Sequence, residues 1–94
     1  MNKITQIVNK ENVLLVDVRN PWEFDEGHIK NALNIPLHEI PARIDECKHP
    51  AGPVILYCRS GNRSGAAVNI LKKAGITNVH NGGGIFDLQK SILN

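Results

Sequence analysis

The run PVILYC, Pro53 to Cys58, constrains this chain more than any other stretch. After the proline it carries no charged side chain, so a strand built from it has no face suited to water. An extended segment apolar on both faces belongs inside a sheet covered on both sides, as parallel sheets are. VLLVDV, Val13 to Val18, has the same β-rich character, and ALNIP is a shorter strand stopped by Pro36. Helical patterns alternate with these strands. Asn20 and Pro21 supply a cap and a favoured first helical residue, so PWEFDE should be a short helix ended by Gly27. LHEIPARIDEC places apolar residues at 37, 40, 44 and 47, a helical period with Pro41 early in it. Ala66, Ala67, Ile70, Leu71 and Ala74 mark one face of a further helix, which Gly75 ends. NVHN then reads as a fourth strand, GGG as a turn and IFDLQKSIL as a closing helix. This alternation predicts an α/β fold: a mostly parallel central sheet of four to five strands with helices on both faces. With no repeat, linker or low-complexity tract, residues 1–94 should form one domain.

Composition removes several function classes. A net charge of +2, with eleven Lys and Arg forming no run or stripe, argues against nucleic acid. No apolar stretch approaches the roughly eighteen residues of a membrane span, and MNKITQIVNKENV lacks the apolar block of a signal peptide. The expectation is therefore a cytoplasmic chain, and a monomer. Cys47 and Cys58 are too few for a disulfide framework. His28, His38, His49 and His80 show no ligand spacing, so no metal is expected.

Chemistry concentrates where the third strand ends. ILYCRSGNRSG leads from that strand into a helix through a loop of small and cationic residues. Ligands of open α/β sheets bind at the carboxyl ends of strands, and Cys58 occupies such an end. Backbone N–H groups in a tight turn containing Gly61 can converge on an anion, and the next helix adds its positive end. Arg59 and Arg63 bring two cations. Cations, donated hydrogen bonds and a helix terminus each favour thiolate over thiol, so Cys58 should ionise easily. A buried structural cysteine before a solvated turn is the competing reading, but it leaves the coincidence of thiol, arginines and helix unexplained. Cys58 and Arg63 have the spacing C-x4-R, one residue shorter than the C-x5-R of cysteine-dependent phosphatases. The tighter cradle suits a single sulfur atom bonded to Cys58 better than a phosphoryl group.

At these residues the sequence resembles the rhodanese family, and in particular its single-domain sulfurtransferases. DVRNPWEFDEGHIKNALNIP is similar to the family's amino-terminal signature at Asp17, Arg19, Glu23, Gly27, His28, Ile29, Ala32, Asn34, Ile35 and Pro36. YCRSGNRS resembles its six-residue active-site loop, Cys58 to Arg63, and NGGG its glycine turn before the last helix. Leu88 stands where many relatives carry tryptophan, a difference in packing. The resemblance implies the rhodanese fold and transfer of a sulfane sulfur through a persulfide on Cys58. The implied substrates are a small anionic donor such as thiosulfate and a thiol or cyanide acceptor, with no metal or organic cofactor. Arg59, Ser60, Gly61, Asn62, Arg63 and Ser64 would bind the donor and hold the persulfide. Arg63 should serve both charge and loop shape, and Arg59 should be the more dispensable.

Three other classes use overlapping residues. A persulfide relay would take sulfur from, or pass it to, a thiol-bearing protein. A phosphatase or arsenate reductase would need the same thiolate, and the short loop argues against it. A non-catalytic module of this type would commonly lack the cysteine. Asp17 and Arg19 are expected to hold neighbouring loops together more than to touch substrate. Glu23, four residues after Arg19, is placed to pair with it. His28 should bond a backbone carbonyl, Cys47 should close a helix in the core or at its rim, and Trp22 should pack or lie on the surface.

Overall fold

The computed structural model describes residues 3–92. Four strands, β1 Leu14–Asp17, β2 Leu33–Asn34, β3 Val54–Cys58 and β4 Val79–Gly84, form one sheet in the order β2-β1-β3-β4. Every neighbouring pair is parallel, so the strands end on the same side of the molecule. All five residues of β3 are buried, as the apolar run requires. Its side chains alternate between the sheet faces. Val54, Leu56 and Cys58 join a core with Val16, Ile35, Ala67 and Leu71, while Ile55 and Tyr57 join Ile7, Val8, Ile85 and Leu88. The expected α/β sheet with helices on both faces is therefore present, with four strands.

The helices follow from the local sequence, with three departures. α1 Lys3–Val8 was not signalled by a long periodic pattern, yet it buries Ile7 and Val8. It is tied to the last helix: Thr5 Oγ1 lies 3.2 Å from Ser91 Oγ, and Asn9 Nδ2 donates to the Ser91 carbonyl at 2.7 Å. α2 Pro21–Glu26 begins as the Asn-Pro signal requires. LHEIPARIDEC, expected to be an ordinary helix, is instead a 3-10 helix, Leu37–Cys47, that leaves helical geometry at Arg43. Pro41 inside it withholds a backbone N–H, and the i, i+3 pairs Leu37/Ile40 and Ile44/Cys47 suit the tighter turn. α3 Asn62–Lys73 and α4 Ile85–Ser91 complete the chain of elements.

The third departure lies at the glycines. GGG is not a turn after β4 but the end of β4 itself. The register with β3 slips there: Leu56 faces Asn81 and Tyr57 faces Gly83. Gly84 lies against the Cys58 loop so closely that a Cβ would stand 2.6 Å from the Arg59 carbonyl oxygen. Only a residue without a side chain lets β4 run alongside that loop. Among the described residues, no helix is long and apolar enough to cross a membrane.

Candidate active site

β3 delivers Cys58 to the carboxyl end of the sheet, and the chain then turns sharply into α3. Gly61 makes the turn possible with φ of 100°, a left-handed conformation that costs a side-chain-bearing residue roughly 1–2 kcal/mol. Its N–H points back at the thiol and donates to Cys58 Sγ at 3.0 Å. Ser64 Oγ, one turn into the helix, lies 3.5 Å from the same sulfur. Cys58 itself has no solvent exposure.

Burial opposes ionisation of this thiol, but hydrogen bonding outweighs it. Donors from the Ser64 hydroxyl and from the backbone of Ser64, Ser60 and Gly61 draw the Cys58 pKa below its ordinary value. The two arginines were expected to contribute directly. The leading causes are instead the hydrogen bonds of the loop and the first turn of α3. Cys47 shows the opposite case, because burial pushes its thiol up, and it lies wholly in the core.

Arg63 is occupied. Its Nη1 and Nη2 reach Glu23 Oε1 and Oε2 at 2.7 and 3.1 Å, a two-pronged pair across forty residues of sequence. Glu23 also accepts the Asn20 backbone N–H at 3.0 Å, so one carboxylate caps α2 and anchors the Cys58 loop. That guanidinium, helped by the Asn20 N–H, holds the Glu23 carboxyl down to about 2. Glu23 therefore does not bond Arg19, as its spacing suggested. Arg19 binds Asp17 instead, with Nη2 2.8 Å from Oδ2, and reaches the Gly27 carbonyl at 2.6 Å. Asn34 closes this knot by donating to the carbonyls of Asp17 and Arg19, each at 3.0 Å. Asp17 and Arg19 thus join strand ends to a neighbouring loop, the reading preferred for them. His28 Nδ1 sits 2.9 Å from the Phe24 carbonyl, and its ring stacks on Phe24 at 3.6 Å.

Arg59, Ser60 and Asn62 are exposed at the mouth of the loop. Arg59 helps to line a groove of about 430 Å³ between α2 and α4, together with Trp22, Glu26, His28, Phe86 and Gln89. Trp22 and Phe86 are the large apolar side chains most open to solvent among the described residues, at 62% and 70% exposure. Phe86 and Asn81 were not singled out from the sequence. Asn81 bonds the Ser64 hydroxyl, the Gly61 carbonyl and the Gly83 N–H. Its one legible signal is its place before the glycine run that meets the loop.

A fully parallel sheet that ends a buried strand in a thiol, with N–H donors converging on its sulfur, defines an α/β protein with a hydrogen-bonded cysteine at the carboxyl end of its sheet. Comparison with known proteins gives the particular kind. A profile of the rhodanese-like domain matches residues 1–90, and the chain belongs to that family. The thiosulfate sulfurtransferase PspE of Escherichia coli strain K12 is 38% identical over 74 residues, which cover 78% of this chain and 71% of PspE. YqhL of Bacillus subtilis strain 168 is 46% identical over 67 residues, covering 71% of this chain but only 52% of that relative. Among solved structures, a rhodanese with anions from E. coli superposes with a TM-score of 0.73 at 38% identity, covering 80% of this chain and 89% of that one. At family level the chain is thus a homologue of rhodanese-type sulfurtransferases.

Proposed function

We propose that the protein moves a sulfane sulfur from an anionic donor such as thiosulfate to a thiophilic acceptor, cyanide or a thiol, through a persulfide on Cys58. The observation that carries this reading is the Gly61 N–H donated at 3.0 Å to a buried Sγ within a C-x4-R loop. In the first step the Cys58 thiolate attacks the outer sulfur of thiosulfate. A new S–S bond forms, the donor's S–S bond breaks, and sulfite leaves with its electron pair. The negative charge then rests on the outer sulfur of the persulfide. Backbone N–H groups of the loop, Ser60 to Ser64, are the donors available to hold it. In the second step the acceptor attacks that outer sulfur and Cys58 departs as thiolate, ready to repeat the cycle. No metal or organic cofactor takes part.

The arginines divide this work differently from the sequence expectation. Glu23 already balances the Arg63 charge, so Arg63 shapes and braces the loop. Of the loop's two arginines, Arg59 has no carboxylate partner among the described residues and, exposed beside the groove, would meet the donor. Asn62, exposed at the first position of α3, borders the same mouth. The loop's short span disfavours the phosphatase and arsenate reductase readings.

A second reading is supported by the groove. Thiosulfate has only five heavy atoms, whereas about 430 Å³ is room for a much larger group, and two exposed aromatic rings flank it. A persulfide relay serving a thiol-bearing protein uses the same Cys58 and that additional surface. A monomer suffices for either, and a reducing compartment such as the cytoplasm would keep the thiol available. The test is formation of thiocyanate from thiosulfate and cyanide, run beside a phosphate-ester assay. Transfer by the wild type and none by Cys58→Ser supports the proposal. Phosphate-ester hydrolysis without sulfur transfer would overturn it.

A further inference from the structure

Among the described residues, the Ser64 hydroxyl has two hydrogen-bonding neighbours, and it has one proton. It lies 2.7 Å from Asn81 Oδ1 and 3.5 Å from Cys58 Sγ. The orientation of the Asn81 carboxamide is fixed from outside, because Nδ2 donates to the Gly61 carbonyl at 3.1 Å and Oδ1 accepts the Gly83 N–H at 2.9 Å. Flipping the amide would set oxygen against oxygen and donor against donor. Oδ1 is thus an acceptor only, and Ser64 must spend its proton there. The contact between Ser64 and the sulfur is then one in which the Cys58 S–H donates to Oγ. This is the arrangement of the neutral thiol.

Once the thiol ionises, its sulfur can only accept. The Ser64 hydroxyl has to turn from Asn81 to Sγ, and Oδ1 keeps the Gly83 N–H while its vacated side, on an exposed residue, meets water. When a second sulfur is attached, the inner sulfur carries two covalent bonds and no charge, and the hydroxyl can return to Asn81. We propose that Asn81 is a positioning residue that competes with Cys58 for the Ser64 proton, holding it against the neutral thiol and against the persulfide and yielding it to the thiolate. The same carboxamide clamps the loop at Gly61, whose N–H also donates to the sulfur. The inference rests on Cys58 as the reacting thiol. Other charged groups surround the loop in fixed pairs, at its mouth or beside Asn81: Arg63 with Glu23, Arg19 with Asp17, Arg59, and Asp87 of α4, which lines a cleft with Ser60 and Asn81.

The competition predicts a particular dependence on Ser64. Removing Asn81 leaves the hydroxyl with one partner, the sulfur, and so favours the thiolate; loosening the loop alone would act whether or not Ser64 has a hydroxyl. The experiment follows iodoacetamide alkylation of Cys58 against pH for the Cys47→Ser parent, for Asn81→Ala, for Ser64→Ala and for the double variant. Asn81→Ala should shift the thiolate fraction upward, relative to its own parent, about threefold more when Ser64 is present than when it is absent, the effect of one contested hydrogen bond. Equal shifts in the two backgrounds would overturn the proposal and leave Asn81 as a loop clamp alone. Asn81→Ser, too short to span Ser64 and Gly61, gives the same comparison if the alanine variant unfolds. Failure of the functional reading is distinguishable, since it would appear as an absence of sulfur transfer while these ionisation curves stand.

Discussion

Arg59 and Arg63 differ by four positions in sequence and by everything around them in space. Glu23 neutralises Arg63 through two hydrogen bonds, whereas Arg59 faces the groove among aromatic side chains. Arg59→Ala should therefore weaken use of thiosulfate by roughly tenfold to a hundredfold, the cost of about 1.5–3 kcal/mol for a lost charge-assisted contact. A neutral persulfide donor should be spared. Arg63→Ala should impair both donors alike and lower the melting temperature, because Glu23 is left largely buried without its cation. Steady-state kinetics with the two donor types separate the roles, and equal donor dependence in the two variants would contradict the assignment. The sequence revealed the two cations but not this division. No spacing rule links residues 23 and 63, and the nearer Arg19 was the obvious partner until the Asp17 pair claimed it.

At the scale of elements, the turn between β3 and α3 sets the chemistry, and it depends on Gly61. Alanine there would resist the left-handed backbone and pull the N–H off the sulfur. Gly61→Ala should raise the pH at which Cys58 is alkylated, with Cys47 replaced by serine so that one thiol reports. In the unaltered loop the inflection should lie below the free-thiol value of about 8.5. An unchanged inflection in the glycine variant would remove that N–H from the account. The brace between α2 and α3 has its own pH signature. Glu23 is depressed to about 2 in the folded protein, so its contribution is fully present above the unfolded carboxylate value of about 4.3 and fades as pH falls through about 2. Urea unfolding at stepped pH should show Glu23→Gln losing less stability than wild type across that acid window. Parallel curves would mean that the pair adds nothing through ionisation. Strands and capped helices were legible because periodicity and Asn-Pro state them locally. The six residues of α1 and the 3-10 geometry were not, since one draws its order from contact with α4 and the other from a proline's missing N–H.

For the whole molecule, parallel order is what makes a site possible. β1 and β3 end side by side, with Asp17 opposite Tyr57, and Gly84 of β4 stands beside Cys58. The Asp17–Arg19 knot, the Cys58 loop and the glycines therefore meet at one end of the sheet. That end was legible from alternation alone, since Cys58 closes the most apolar run. The groove was not, because Trp22 and Phe86 lie sixty-four residues apart and only the packing of α2 near α4 brings them to one cleft. Under the proposed function, the transferable sulfur sits on Cys58 and not on Cys47. Intact and peptide mass spectrometry of the protein before and after thiosulfate, then after cyanide, tests it most directly. One added sulfur is expected on the peptide containing Cys58, present equally in Cys47→Ser and removed by cyanide. A sulfur found on Cys47, or none on Cys58 in a folded protein exposed to thiosulfate, would contradict it.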